Sequence, residues 1–261
     1  ASLPYMGFNT LSAIKKANGG SLRNYKVIYS NLYSKDVANL KAFWAKRGFK
    51  PVFKSVTDDE TFLAQGDLVV SENSPTVKEI LDFMMLWSDN LLADRLAGLA
   101  ARAAGYSPNI KGIEIIFRTL LAQFEIDDSK LVVADASGLS KKNKITAKLM
   151  GELLYKIRKD ERYALLYESL PIGGVSGTLQ SRFTTTAPSA VGLVRAKTGT
   201  LNGTATLAGY VQSTDREYVF VTLADDIAKG NAALNKARAA IDRVLGRIAA
   251  PNIPAEISPA P

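Results

Sequence analysis

The order of periodic patterns along the chain constrains its fold more than any other sequence feature. Three strand-like segments follow one another late in the chain, at residues 193–197, 204–212 and 217–223. The last two are separated by only the residues from Ser213 to Arg216, a spacing typical of a hairpin. Helical patterns precede this sheet, and an amphipathic helix at residues 231–248 follows it. The sequence therefore predicts an α+β fold, in which an antiparallel sheet is packed between helices.

Most of the chain before the sheet has helical spacing. Apolar periodicity and capping residues predict helices at residues 9–18, 34–47, 75–104, 111–124 and 146–159, and short strands at residues 66–71 and 131–134. Within the third of these helical patterns, Ser88-Asp89-Asn90 interrupts the apolar run with residues that prefer caps and turns. We therefore expect two helices there, meeting at a polar corner.

The amino-acid composition excludes several kinds of site. Of the 261 residues, 47% are hydrophobic, which is enough for one sizeable core or two modest ones. The chain contains no cysteine and no histidine, so disulfides, thiol nucleophiles and histidine-based zinc sites are excluded. A Ser-His-Asp triad is also impossible, and a serine hydrolase built from this chain must take its general base from lysine or another residue. Nothing in the sequence suggests a metal or an organic cofactor.

The chain is basic, with a net charge of +8 and an isoelectric point near 9.5. This charge favours anionic surroundings, which include nucleic acids, membrane surfaces and anionic wall polymers. The net charge alone does not show which of these the protein binds. No recognisable basic and aromatic motif accompanies it, so we expect no nucleic-acid partner.

Two short motifs carry the chemistry that the sequence suggests. They are Ser88-Asp89-Asn90 at the predicted helix corner and Lys197-Thr198-Gly199-Thr200 at the end of a predicted strand, about a hundred residues apart. Either motif alone is better explained without any chemistry, the first as a capped helix corner and the second as an exposed strand end. Four longer segments add to the pair, at residues 88–97 (SDNLLADRLA), 135–140 (DASGLS), 171–179 (PIGGVSGTL) and 195–201 (RAKTGTL).

In this order, the motifs resemble the second and third elements of the Ser-x-x-Lys, Ser-x-Asn and Lys-Thr-Gly set of penicillin-binding proteins and β-lactamases. The longer segments resemble the D-alanyl-D-alanine carboxypeptidase and endopeptidase family, the type with a large insertion between the first two motifs. The resemblance covers roughly residues 34–226. It implies a β-lactamase/transpeptidase-like fold, with residues 1–30 as an N-terminal segment, residues 31–250 as the penicillin-binding domain, and residues 251–261 as a proline-rich tail.

The resemblance also implies catalytic roles for three residues. The Ser88 hydroxyl would relay a proton to the leaving group, and the Asn90 amide would bind the substrate backbone and orient the active-site lysine. Lys197 would add positive potential near Ser88 and near the carboxylate of the substrate.

Three neighbouring residues would bind the substrate. Thr198 and Thr200 would offer hydroxyl groups to the terminal carboxylate, and the backbone N–H of Thr200 would be one oxyanion donor. Gly199 would let the substrate backbone approach the strand edge and add as a further strand.

The first motif of the set, a nucleophilic serine with a lysine one helical turn along, is not plainly present. Upstream of Ser88 only Ser12-Ala13-Ile14-Lys15 has the Ser-x-x-Lys spacing. It lies on a short predicted helix that ends at Gly19, whereas the family's nucleophile begins a long central helix. We therefore expect the chain to be the C-terminal portion of a larger enzyme, with the motif supplied by an upstream segment or a partner chain.

The leading hypothesis is a penicillin-sensitive, serine-type D-Ala-D-Ala carboxypeptidase that acts on peptidoglycan stem peptides and binds β-lactams, with endopeptidase activity as a variant. The family implies an extracytoplasmic location in the cell envelope. The alternative is a non-catalytic module that binds wall peptides without turning them over. A β-lactamase is a third hypothesis, although no glutamate-bearing signature for a deacylating water is present. Covalent labelling by a β-lactam distinguishes the enzyme from the binding module, because it requires a nucleophile.

Overall fold

The computed structural model describes residues 12, 15–16, 19–20, 26–29, 34–55 and 75–250. The chain forms two compact units, Ala1–Thr76 and Val77–Pro261. The predicted strand at residues 66–71, most of the predicted helix at residues 9–18 and the tail at residues 251–261 lie outside the described residues. The expected division into residues 1–30, 31–250 and 251–261 stays a prediction.

The first unit contains two short parallel strands joined by a helix. These elements are β1 (Lys26–Tyr29), α1 (Ser34–Ala45) and β2 (Val52–Ser55). Trp44 and Phe49 are buried at the end of α1, where they pack against Phe53 and other aromatic and aliphatic side chains. The helix is followed by Gly48 with a φ of +79°, a left-handed conformation that glycine adopts at no steric cost. The sequence patterns do not predict the two strands, because four residues are too few to establish an alternating pattern.

The second unit contains a three-stranded antiparallel sheet and six α-helices among the residues that the structure describes. They are α2 (Val77–Trp87), α3 (Asn90–Ala103), α4 (Ile110–Gln123), α5 (Ala147–Arg158), α6 (Ala164–Glu168), β3 (Val194–Leu201), β4 (Thr204–Gln212), β5 (Glu217–Ala224) and α7 (Asn231–Ala249). The strand order is β3-β4-β5, so β4 is central. None of the helices in the described residues is long and apolar enough to cross a membrane.

Helices cover both faces of the sheet. On one face, Leu207 and Val211 of β4 are fully buried in a cluster with Ile241 and Leu245 of α7. Burial of each of these side chains contributes roughly 1.5–3 kcal/mol. On the other face, the Tyr210 hydroxyl donates a hydrogen bond of 2.8 Å to a backbone carbonyl of α5. The predicted α+β fold, with its antiparallel sheet between helices, is therefore confirmed.

Side-chain caps fix the starts of three helices. Asp89, Asn109 and Thr146 each accept a hydrogen bond from the backbone N–H three residues along, at 2.9, 3.1 and 3.1 Å. Each such cap stabilises its helix by about 1 kcal/mol, because it pairs an N–H that the helix itself leaves without an acceptor. Helices α3, α4 and α5 consequently begin within one or two residues of the predicted positions.

Three predictions need correction. Residues 131–134 do not form a strand, because Val132 makes only an isolated bridge to Lys144. Strand β3 does not end at Lys197 but continues to Leu201, since β4 pairs with it over its whole length. The helical pattern that was predicted from residue 75 begins at Val77.

A buried ion pair ties α7 to the segment that precedes the sheet. The Arg182 guanidinium donates two hydrogen bonds to Asp242 from Nε, both of 3.0 Å, and a third from its terminal nitrogen. Thr186 donates to the same carboxylate at 3.1 Å. The side chains of Arg182 and Asp242 are only 14% and 3% exposed, so both charges depend on each other for stabilisation.

We expect Asp242→Ala to lower the free energy of unfolding by about 3 kcal/mol, because it leaves a buried guanidinium without its counter-charge. Urea denaturation followed by circular dichroism measures the change. The exposed pair Arg216–Asp215 provides the control, and Asp215→Ala should change stability by less than about 1 kcal/mol. The double variant Arg182→Met/Asp242→Leu removes both charges and should be more stable than Asp242→Ala. If it were no more stable, the unpaired guanidinium would not be the cause of the lost stability.

Candidate active site

Ser88 lies at the corner between α2 and α3, where the sequence predicted a break. Its φ is +58°, a left-handed conformation that is uncommon for a residue with a Cβ. Asp89 follows it as the N-cap of α3. A cap directly after Ser88 and a helix end directly before it hold the strained backbone in place. Strained conformations of this kind concentrate at functional sites.

The side chain of Lys197 reaches this corner from β3. Its Nζ donates a hydrogen bond of 2.6 Å to Ser88 Oγ and one of 3.0 Å to the backbone carbonyl of Thr198. The two motifs, 109 residues apart in the chain, are therefore in direct contact. Burial lowers the pKa of the Lys197 amine below its usual value, because the charged form loses solvation. Both acceptors are uncharged, so no counter-ion offsets this effect there.

Asn90 occupies the first turn of α3, two residues after Ser88. Its side chain is partly buried and makes no hydrogen bond within the part of the chain that the structure describes. The amide is therefore available to a ligand, as the predicted contact with the substrate backbone requires. Its role stays a prediction.

Thr198 and Thr200 alternate with Lys197 along β3 and so project from the opposite face of the sheet. Thr198 Oγ1 donates to Thr178 Oγ1 at 2.9 Å, and Thr200 Oγ1 accepts from an Arg238 terminal nitrogen at 3.0 Å. Both threonines line a cavity of about 250 Å³. The two hydroxyls that the resemblance assigns to a carboxylate therefore border one cavity.

Gly199 lies between these threonines and is paired with Thr206 of β4. A Cβ on Gly199 would lie 2.3 Å from Thr206 Oγ1, so a side chain here would displace its neighbour on β4. The sequence prediction attributes Gly199 only to the approach of substrate. Packing within the sheet is a second reason for glycine at this position.

The outer edge of β3 has a neighbour only at its beginning. There Gly173 N–H donates to Val194, and Ala196 N–H donates to Pro171, at 2.8 and 3.0 Å. From Thr198 onward, β3 has no strand on this side among the described residues. An extended peptide could therefore add to this edge through backbone hydrogen bonds.

Gly177 holds the glycine-rich loop against the end of α2. Its φ is +56°, and a Cβ at this position would lie 2.5 Å from the carbonyl oxygen of Leu86. Only glycine satisfies both conditions. Because Leu86 lies two residues before Ser88 and Thr178 bonds to Thr198, this loop connects the two motifs. Gly177 therefore has a structural role.

The segment at residues 135–140 is also held together by carboxylates. Asp94 accepts hydrogen bonds of 2.9 Å from the backbone N–H groups of Ala136 and Ser137. Asp135 accepts from Gly138 and Ser140 at 2.7 and 2.6 Å. These bonds stabilise the loop, so the segment has a structural role.

The candidate nucleophile Ser12 and its partner Lys15 are both exposed, at positions with helical backbone in the first unit. An active-site lysine needs burial or neighbouring cations to lower its pKa. Neither Ser12 nor Lys15 is buried, which favours an ordinary surface helix.

Sequence reasoning missed Arg238 and Thr178, which contact the threonines of the Lys-Thr-Gly-Thr motif. Thr178 belongs to a segment that was singled out for its resemblance, but no role was assigned to it. Arg238 gives no signal in the sequence, because an arginine on an amphipathic helix is usually solvated.

We expect Lys197→Met to unfold at pH 7 with a free energy equal to or greater than that of the unchanged protein, because it removes an ammonium group that burial disfavours. The pKa of Lys197 is lower in the folded state, so the unfolded chain binds more protons between that pKa and 10.5. The unchanged protein should therefore gain stability relative to the variant as the pH rises toward 10.5.

Urea denaturation of both proteins at pH 7 and pH 10 tests this expectation. Lys142→Met removes an exposed lysine and should show no such pH-dependent difference. A Lys197→Met variant that is much less stable than the unchanged protein at both pH values would contradict this expectation, since the Lys197 amine would then stabilise the folded state.

This chain is similar to known proteins in sequence and in fold. The model of the D-Ala-D-Ala carboxypeptidase 3 (S13) family matches residues 28–248. Carboxypeptidase DacB of Mycolicibacterium smegmatis is 37% identical over 188 residues, which are 70% of this chain and 40% of that protein. Penicillin binding protein 4 (dacB) from Haemophilus influenzae has a TM-score of 0.65 at 28% identity, with 80% of this chain and 47% of that chain covered. A second structure of the H. influenzae protein, complexed with a novel β-lactam, has a TM-score of 0.64 at 28% identity.

The likeness in structure confirms the expected transpeptidase-like fold. The chain spans 40% of the length of the M. smegmatis carboxypeptidase and 47% of the H. influenzae chain. Because the family model matches residues 28–248, well over half of the sequence, the chain belongs to the D-Ala-D-Ala carboxypeptidase 3 (S13) family.

Proposed function

We propose that this chain forms the substrate-binding part of a serine-type D-Ala-D-Ala carboxypeptidase that acts on peptidoglycan stem peptides outside the cytoplasm. The contact of 2.6 Å between Lys197 Nζ and Ser88 Oγ carries the proposal. It joins a strained corner, a partly buried amine and a free strand edge, which together suit acyl transfer from a bound peptide.

The proposed reaction has two steps. A serine nucleophile attacks the carbonyl carbon between the two D-alanines, and the bond to the terminal D-alanine breaks to leave an ester. Ser88 relays the proton released by the attacking serine to the departing amine, while the positive potential of Lys197 makes the Ser88 hydroxyl a better donor. Water then hydrolyses the ester and regenerates the serine.

The substrate would bind as an additional strand along β3. Its backbone would pair with the edge from Thr198 onward, and its terminal carboxylate would bind the Thr198 and Thr200 hydroxyls. The Thr200 N–H would stabilise the oxyanion of the tetrahedral intermediate. The Asn90 side chain, which has no partner in the described residues, would bind the substrate backbone.

We propose that the nucleophile belongs to a segment outside these 261 residues. Upstream of Ser88 only Ser12 has a lysine at the required spacing, and both side chains are exposed. Phe83, Trp87 and Leu91, at or next to the corner, are 52%, 59% and 63% exposed. An apolar surface of this kind marks an interaction site. A helix bearing Ser-x-x-Lys would both cover it and bring a nucleophile to Ser88.

A non-catalytic peptide-binding module is the second candidate, and the exposure of Ser12 and Lys15 favours it for this chain taken alone. Both candidates predict reversible binding of stem peptides and of β-lactams, and the H. influenzae protein is known in complex with a β-lactam. They differ only in whether a nucleophile completes the site.

We expect the chain alone to bind an acyl-D-Ala-D-Ala peptide reversibly and to form no covalent adduct with penicillin. Chemical-shift titration measures the binding, and intact mass measures the adduct. Asn90→Ala should weaken peptide binding about fivefold, since a net hydrogen bond contributes roughly 1 kcal/mol. An acyl-L-Ala-L-Ala peptide is the control for stereochemistry and should bind more weakly.

Two results would change this assignment. A stoichiometric penicillin adduct that disappears in Ser12→Ala would identify Ser12 as the nucleophile, and the chain alone would be an enzyme. A folded chain that binds neither the D-Ala-D-Ala peptide nor penicillin would contradict both candidates.

A further inference from the structure

The cavity beside the Lys-Thr-Gly-Thr motif is lined by cations and hydroxyl groups. It measures about 250 Å³, somewhat below the roughly 300 Å³ at which pockets for small molecules begin. Its lining includes Thr198, Thr200, Arg182 and Arg238, and no acidic residue. A space of this size and charge suits the end of an anionic chain.

The two arginines of the cavity differ in how their charge is balanced. Arg182 is neutralised by Asp242 through a bidentate interaction. Arg238 donates only to neutral oxygens, those of Asn235 and Thr200, at 3.2 and 3.0 Å. No carboxylate is paired with Arg238 in the residues that the structure describes. Its positive charge is therefore available to a ligand in the cavity.

The ion pair between Arg182 and Asp242 also positions Arg238. A terminal nitrogen of Arg182 donates to the backbone carbonyl of Arg238 at 3.2 Å, and Asp242 lies one helical turn further along α7. These bonds fix this part of α7 against the segment before the sheet. The Arg238 guanidinium is thereby held at Thr200, and Arg238 lines the cavity that Thr198 shares.

We propose that Arg238 is a specificity-determining residue that binds the C-terminal carboxylate of the peptide, together with the hydroxyls of Thr198 and Thr200. The proposal rests on the proposed function, since it assumes that a peptide adds to the edge of β3. A planar guanidinium can donate two parallel hydrogen bonds to a carboxylate, which neither threonine can do. Arg238 therefore selects peptides that end at this position over chains that continue beyond it.

The test compares two peptides that differ only in this charge, acetyl-L-Lys-D-Ala-D-Ala and its C-terminal carboxamide. Chemical-shift titration measures their affinity for the unchanged chain, for Arg238→Gln and for Arg238→Lys. The matched control is Arg243→Gln, which removes the same charge from an exposed position on the same helix. Inorganic phosphate is titrated in parallel as a probe for unspecific anion binding.

We expect the unchanged chain to bind the acid at least about tenfold more tightly than the carboxamide, because hydrogen bonds to charged groups are stronger than neutral ones. Arg238→Gln should lose most of this preference, and Arg238→Lys should retain part of it. Binding of the carboxamide should be the same in all variants, and Arg243→Gln should behave like the unchanged chain.

Three results would overturn the proposal, and they differ from one another. If Arg238→Gln retained the full preference for the acid, Arg238 would have no role, although the proposed function would stand. If phosphate displaced the acid at equal concentration, the cavity would be an unspecific anion site. If the folded chain bound neither peptide, the proposed function would fail together with this inference.

Discussion

The contact between the Lys197 amine and the Ser88 hydroxyl is the interaction on which the site depends. It places a partly buried ammonium group against a neutral hydroxyl, an arrangement that costs free energy because no carboxylate accepts a hydrogen bond from it. The surrounding structure must therefore hold both groups in place. The corner at Ser88 adds to the cost, since a serine occupies a left-handed conformation there.

Packing around the contact offsets these costs. Gly177 lets the glycine-rich loop approach the last turn of α2, and the neighbouring Thr178 bonds to Thr198 on β3. The buried pair of Arg182 and Asp242 fixes α7 on the face of the sheet from which Thr198 projects. Strand β3 is thus held on this face through Thr198 and on the other through the contact of Lys197 with Ser88, while its outer edge is free from Thr198 onward in the described residues. A rigid strand with a free edge suits the addition of a peptide in one register.

Much of the second unit could be predicted from the sequence, because its signals are local. Caps at Asp89 and Thr146 and the spacing of apolar residues gave helix starts within one or two positions. Boundaries that depend on a partner strand were less accurate. Strand β3 continues past Lys197 because β4 supplies hydrogen bonds as far as Leu201. The segment at residues 131–134 has strand-like composition but finds only one bridging partner.

The sequence by itself determined the chemistry that the chain can and cannot perform. Without histidine or cysteine, a serine hydrolase built from this chain must take its general base from lysine or another residue, and the motifs at Ser88 and Lys197, with the longer segments around them, predicted the family. Only the tertiary structure decided that these two residues touch and that Arg238 joins Thr198 and Thr200 around one cavity. The reason is physical: contacts between residues 38 or 109 positions apart depend on how helices and strands pack, which no local pattern records.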